Sequence, residues 1–402
     1  MHKDVYPSIH LPESSKLDTE IAFLCLFARV HLDGATLDRL RTLLLQSLNW
    51  RHVLGLAHYH KVSSLLYRSL CRLDDSAVPA SLLEKLASEH KLRTLRNLLM
   101  THQLVDVVAG LKQVGIVAIP FKGPVLAQAA YGDLALRATA DLDLWVHPDL
   151  REAAQDWLKT QNFELLQRLP WESLLRNSQN SIDVDLHESL TPDQFPIGLG
   201  FNDVESRLQP LSLAGKRIEQ MSFEDTLMVQ CVGWCKDAWG RSAKLSQLCD
   251  IAELVRSHSN LDWAYIEHTS TKLDMQHIVG LPLSLARDWL DAPLPDSVEE
   301  HQGLASPHLQ KLSQYASRQF WQYGSFIHPD DVPLSTRDHT FYFGLRTSYG
   351  ARASYIAKQV FVATEKEQAI VDLPIEIPWL YVPIRLLRLL RKYLEYYLSR
   401  YF

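Results

Sequence analysis

Asp141 and Asp143, with Leu142 between them and Leu144 after them, constrain this chain more than any other feature. On a β-strand the side chains alternate, so both carboxylates share one face and both leucines the other. Such a strand must bury its leucines, which leaves two like charges side by side at the edge of a core. They repel each other unless a cation lies between them. Paired aspartate oxygens are hard ligands suited to Mg²⁺, which takes one or two carboxylates together with substrate phosphates. The alternation predicts a strand over 140–146 with an acidic face.

The flanking residues suit the same chemistry. An apolar run at 116–121 reads as a strand and is followed by Lys122-Gly123-Pro124, then a short helix over 124–131. A glycine lets the backbone approach a phosphate, and the helix start beyond it offers free N–H groups. Pro124 fits the first helical position, where its missing donor would be unpaired in any case. Lys122 and Arg137 could hold a polyphosphate tail, the arginine by a forked contact. Downstream, 150–160 reads as a helix, 162–169 as a strand and 181–188 as another. In the last, Ile182, Val184 and Leu186 share one face, while Asp183, Asp185 and His187 share the other. Two-metal phosphate chemistry needs a third carboxylate from a neighbouring strand. Asp185 or Asp183 supplies it; His187 could ligate metal or orient Asp185, and reads more often as a plain hydrogen-bonded partner at the strand end.

Helices bracket this α/β block. The apolar spacing of Ile21, Leu24, Cys25 and Ala28 opens a helical stretch reaching about residue 70, with breaks at Asp33-Gly34 and at 74–76. Residues 81–113 read as one long helix, with Ser81 and Glu84 as its capping box. Ser222 and Asp225 mark a second capped start. From 226 onward the chain reads as mostly helical, interrupted near 292–296 and 329–333. Its last segment, 383–402, mixes Arg385, Arg388, Arg391, Lys392 and Arg400 with Leu and Tyr, a basic amphipathic pattern that can sit on a membrane or a partner and more often is a terminal packing helix with a solvated face. The resulting division is 1–80 helical, 81–222 α/β core, and 223–402 helical.

Composition excludes several classes. A net charge of −6 over 402 residues argues against general nucleic-acid binding. Five scattered cysteines suit reduced thiols better than a disulfide framework. Cys231 and Cys235 read as buried helical thiols. His58 and His60 face different ways on a helix and do not share a metal. The acidic residues ahead of the first apolar stretch are in the wrong order for a secretory signal, and no apolar run is long enough to span a bilayer. The expected location is cytoplasmic.

The order Lys-Gly, Tyr-Gly-Asp-x-x-x-Arg, Asp-Leu-Asp-Leu-x-Val and Val-Asp-Leu-His resembles the uncharacterised nucleotidyltransferase family of the DNA polymerase β-type superfamily. The likeness extends to residues 49–70, to Lys244-Leu-Ser-Gln-Leu-Cys-Asp250, and to 373–374 and 381–385. It implies an α+β, mostly helical protein: a small mixed β-sheet nucleotidyltransferase core flanked by N- and C-terminal helical regions. By position, Gly123 matches the family's phosphate-approach glycine, Asp141 and Asp143 its metal pair, and Asp185 the acid before Leu-His. Two features depart from the superfamily pattern. Gly123-Pro124 replaces Gly-Ser or Gly-Gly and loses one backbone donor, and Lys122 precedes the glycine.

The combined expectation is a Mg²⁺-dependent nucleotidyltransferase with a two-ion site, Mn²⁺ being the alternative metal. It moves a nucleoside monophosphate from an NTP, ATP first, to an acceptor hydroxyl. Asp141, Asp143 and Asp185 bind metal and carry catalysis; Lys122, Gly123, Arg137 and Lys244 contact the nucleotide. The alternatives are a phosphotransferase using the same metals, separable by following α- against γ-phosphate label, and a non-catalytic nucleotide-binding or interaction module.

Overall fold

The computed structural model describes residues 17–401 except 74, 194, 241, 297, 299–303, 305, 324–335, 362–369 and 372–377. The expected break at 329–333 and the family-like pair at 373–374 lie outside the described residues.

Four helices open the described chain: α1 (Leu17–Phe27), α2 (Gly34–Leu44), α3 (Trp50–Tyr59) and α4 (Ser63–Leu73). Asp33 ends the first break by accepting the Thr36 amide at 2.7 Å, and Asn49 caps α3 through the His52 amide. The long helix α5 (Ala80–Gln113) follows. The expected capping box at Ser81 and Glu84 is absent. Helix α5 starts one residue earlier, behind Pro79, and has no side-chain cap, because proline already sets an extended entry to the helix.

The strands form one mixed sheet and one hairpin. The sheet comprises β1 (Ala118–Pro120), β2 (Leu142–Val146), β3 (Phe163–Arg168), β4 (Glu172–Asn177) and β5 (Asp183–His187), in spatial order β1-β2-β5-β4-β3. Among the described residues only β2 and β5 pair in parallel. Between β1 and β2 lie α6 (Gly123–Leu126) and a π-helical turn at Ala127–Tyr131; α7 (Arg151–Thr160) carries the chain over to β3. A short helix α8 (Phe201–Glu205) precedes the hairpin of β6 (Gln209–Leu213) and β7 (Lys216–Gln220). Ala214 and Gly215, both at positive φ, make its tight turn.

Strand β4 and the hairpin were not expected from the sequence. The buried face of β4 carries Ser173 and Asn177 beside Leu175, so its alternation is not apolar. Arg151 and Gln155 satisfy the Ser173 hydroxyl inside the core. Strand β2 begins at Leu142 rather than at 140, and Asp141 sits on the bend just before it.

Helices dominate the rest: α9 (Phe223–Trp239), α10 (Leu245–Ser257), α11 (Trp263–Lys272), α12 (Gln276–Leu290), α13 (Pro307–Tyr323), α14 (Thr336–Leu345), α15 (Tyr349–Phe361) and α16 (Tyr381–Tyr401). Ser222 caps α9 through the Asp225 amide, as expected. Cys231, Cys235 and Cys249 are fully buried free thiols in α9 and α10. Helix α16 leaves Leu387, Leu390, Leu394 and Leu398 exposed. Among the described residues no helix is long and apolar enough to cross a membrane.

Packing joins distant parts of the chain. Helices α1–α4 share one apolar core with α9, α10 and α12, so helices from before and after the sheet close on each other. A second core presses Leu142, Leu144, Val184 and Leu186 against α5 and α7. This leaves the odd-numbered face of β2 and β5, with Asp143, Asp185 and His187, turned away from α5 and α7. The protein is α+β and mostly helical.

Candidate active site

Parallel pairing sets Asp143 directly opposite Asp185, and Trp145 opposite His187. Antiparallel pairing sets Glu172 of β4 opposite His187. One ligand atom each from Asp143, Asp185 and His187 fall within 4.8 Å of one another. His187 Nε2 lies 3.3 Å from Asp143 Oδ1, and its Nδ1 lies 3.3 Å from Glu172 Oε2. Neither approach has hydrogen-bond geometry, so both buried ring nitrogens are unsatisfied among the described residues. Lys122 Nζ donates to Asp143 Oδ1 at 3.1 Å.

The acids divide by their neighbours. Burial raises the Asp143 carboxyl, but Lys122 and then His187 outweigh it and hold the group well below the usual range. Asp185 makes no ion pair among the described residues, and the Lys122 charge offsets little of its burial. Burial, followed by the charges of Asp141, Asp143 and Glu172, pushes it up to about 8. Asp141 is also raised, first by burial and then by Asp143. The cluster holds more acid than its own cations neutralise.

These groups form one side of a cleft of about 450 Å³, a volume suited to a small-molecule ligand. Asp141, Lys122, Arg137 and Thr139 continue its wall, and Trp171 and Leu190 border it beyond Glu172. Lys236, Asp237, Lys244 and Gln247 come from α9 and the start of α10, and Lys61 from the corner between α3 and α4.

Most of the expected residues converge here, with different attachments. Asp141 lines the cleft but stands outside the 4.8 Å group. Asp183 points to another partner, accepting both donors of a forked contact from Arg176 at 2.7 and 2.8 Å. Arg137 lines the cleft while its guanidinium grips Asp250 through Nε and Nη2 at 3.0–3.1 Å. Tyr131 donates its hydroxyl to the same carboxylate at 2.7 Å. Lys244 Nζ rests 3.4 Å over the Tyr59 ring. Gly123 is buried and does not line the cleft. At φ +58 it turns the chain behind Lys122, and a Cβ there would meet Thr139 at 3.3 Å and the Asp141 carbonyl at 3.5 Å.

Sequence reasoning missed Glu172, Lys61 and Asp237, and ranked His187 below its position. Glu172 was hidden because its strand was. It is held by Arg151, whose Nη2 donates to the Glu172 carbonyl at 2.6 Å. Asp250 carried a usable signal: an acid among Leu248, Cys249, Ile251 and Ala252 must be buried, and a buried acid needs a cationic partner.

The donor set fits a divalent cation. Two facing carboxylates and an unsatisfied imidazole meet at one point, where a positive charge would relieve Asp185 and satisfy His187.

Residues 46–291 match the family model described as an uncharacterised nucleotidyltransferase. Among solved structures the chain is similar to an antigenic nucleotidyltransferase-like protein from Paracoccidioides brasiliensis, with 14% identity and a TM-score of 0.31, over 50% of this chain and 96% of that one. No curated protein sequence matches the chain significantly.

Proposed function

This chain belongs to the uncharacterised nucleotidyltransferase family, and we propose that it transfers a nucleoside monophosphate from an NTP, ATP first, to an acceptor hydroxyl. The observation that carries this reading is the in-register facing of Asp143 and Asp185, with His187 beside them, on the wall of a polar cleft. Asp143 and Asp185 would hold Mg²⁺, or Mn²⁺ in its place, with His187 within reach and Asp141 at the rim. A bound divalent ion would supply charge neutralisation for the attacking and leaving oxygens.

The chain's own groups do the rest. Asp185 polarises the acceptor hydroxyl and takes its proton as the oxygen attacks. The acceptor oxygen bonds to the α-phosphorus, the bond to the bridging oxygen breaks, and pyrophosphate leaves with that electron pair. Lys122 sits between the Gly123 turn and Asp143, where it meets the phosphates as the acids take up cations. Arg137, anchored on Asp250, keeps the 131–140 loop against α10 and presents its remaining donor edge to the cleft. In this division 81–222 carries the carboxylates, while 1–80 and 223–402 supply helical walls.

Incubation with α-labelled NTP, Mg²⁺ and host acceptor fractions tests the assignment. Label should appear in an acceptor with wild-type protein and not with folded Asp143→Asn. Transfer of γ-label instead would make the protein a phosphotransferase.

One observation favours a second reading. Lys122 already neutralises Asp143 at 3.1 Å, as it would in a nucleotide-binding module without catalysis. Calorimetry decides between them: Mg²⁺-dependent NTP affinity without transfer to any acceptor supports the module.

A further inference from the structure

Five basic side chains line the cleft: Lys61, Lys122, Arg137, Lys236 and Lys244. Three are committed to acids. Lys122 is on Asp143, Arg137 on Asp250, and Lys236 on Asp237 at 2.6 Å. Lys61 and Lys244 make no ion pair with a carboxylate among the described residues. Lys244 only covers the Tyr59 ring, while the Lys61 charge is felt by Asp141 across the cleft.

The backbone at Lys61 is built for glycine. The Val62 amide bonds the Ala57 carbonyl at 2.8 Å, and the Lys61 amide bonds the His58 carbonyl at 3.1 Å. That pair of bonds ends α3 with a left-handed residue, and Lys61 takes the position at φ +60. Glycine adopts this conformation freely and a lysine does not.

The corner is also locked in place. Buried His60 accepts the Leu245 amide on Nδ1 at 3.3 Å, and its carbonyl accepts the Ser246 amide at 3.2 Å. This bolts the Tyr59–Lys61 corner to the first turn of α10, beside Lys244. It also occupies amides that a helix start would otherwise offer to an anion, leaving anion binding to the two ammonium groups.

We propose that Lys61, delivered by the N-terminal helices to the cleft beside Lys244, binds the terminal phosphates of the nucleoside triphosphate across from the carboxylates. The proposal rests on the nucleotidyltransferase reading. It adds that the polyphosphate subsite is composite, with one ammonium from each helical region, so the N-terminal helices complete the site.

Lys61→Gly is the discriminating variant, because it removes the ammonium and relieves the backbone together. Binding of α,β-methylene-ATP and of AMP, each with Mg²⁺, is measured by calorimetry on the full chain, alongside a thermal melt. The expected result is an affinity for the triphosphate analogue roughly 10-fold to 100-fold weaker, with AMP affinity unchanged and a melting temperature equal or higher. Lys61→Arg should recover part of the loss. Triphosphate affinity equal to wild type overturns the Lys61 assignment alone. Equal losses for the analogue and AMP overturn the terminal-phosphate placement. A wild-type protein that binds neither overturns the nucleotide reading itself, and the proposal with it.

Discussion

Two acid clusters lie on neighbouring parts of this molecule and differ in how they are satisfied. Asp250, fully buried in α10, accepts two guanidinium nitrogens of Arg137 and the hydroxyl of Tyr131. Its charge is matched and its oxygens are occupied. At the sheet, Asp143 shares one lysine with a set that also includes Asp141, Asp185 and Glu172, beside a histidine with two unsatisfied nitrogens. A satisfied buried acid holds a fold together. A crowded, under-neutralised one at a cleft is where a cation and an anionic substrate can bind with gain.

The comparison predicts opposite consequences for removing a carboxylate at each place. Asp143→Asn or Asp185→Asn should cut transfer of α-label at least about 100-fold. Asp185→Asn should not lower the melting temperature measured without divalent ions, since an amide there carries no charge for Asp141, Asp143 and Glu172 to oppose. Retained transfer in both variants would sink the catalytic assignment.

Asp250→Ala should act on stability first. It strands the Arg137 guanidinium, whose side chain is 13% exposed, and should cost about 3–5 kcal/mol in denaturant titration. A loss below about 1 kcal/mol would erase the contrast between the clusters.

The corner that carries Lys61 gives a pH signature. Burial, and then the charge of Lys244, holds the His60 ring down to about 3 from an ordinary 6.5. A depressed histidine is neutral in both folded and unfolded chains above 6.5, so its contribution is intact there. Below 6.5 the unfolded chain takes up the proton first, and stability falls by about 1.4 kcal/mol per pH unit until about pH 3. The difference between wild-type and His60→Gln unfolding free energies, followed from pH 7 to pH 4, should show that slope. A flat difference would mean that His60 is not held neutral by its packing.

The smallest effect belongs to Asp183, two residues from Asp185 on the same strand face. Its partner is Arg176, which is largely exposed. Asp183→Asn should cost less than about 1 kcal/mol and leave transfer within about twofold. A large loss of transfer would shift the third carboxylate from Asp185 to Asp183.

Much of this site was legible in the residues. Strict alternation put Asp143 on one strand face and Asp183, Asp185 and His187 on another, with the family resemblance choosing Asp185; alternation survives because β2 and β5 bury Leu142, Leu144, Val184 and Leu186 in one core. Strand alternation does not reach Asp141, which sits on the bend before β2. Glu172 was not legible, since β4 buries Ser173 and Asn177, whose polar side chains are satisfied by groups remote in the chain or across a turn. The hold on the Arg137 guanidinium by an acid 113 residues away was not legible either.

The chain by itself determined which side chains share a strand face, because the two-residue period follows from local backbone geometry. It also determined the glycine turn behind Lys122 and the capped start of α9. Tertiary structure alone decided that β2 and β5 lie side by side with Asp143 facing Asp185. It likewise brought a corner of the N-terminal helices against α10 to close the cleft with Lys61. Those placements depend on burying apolar surfaces far apart in sequence against each other, and no local pattern encodes which distant surface will be the partner.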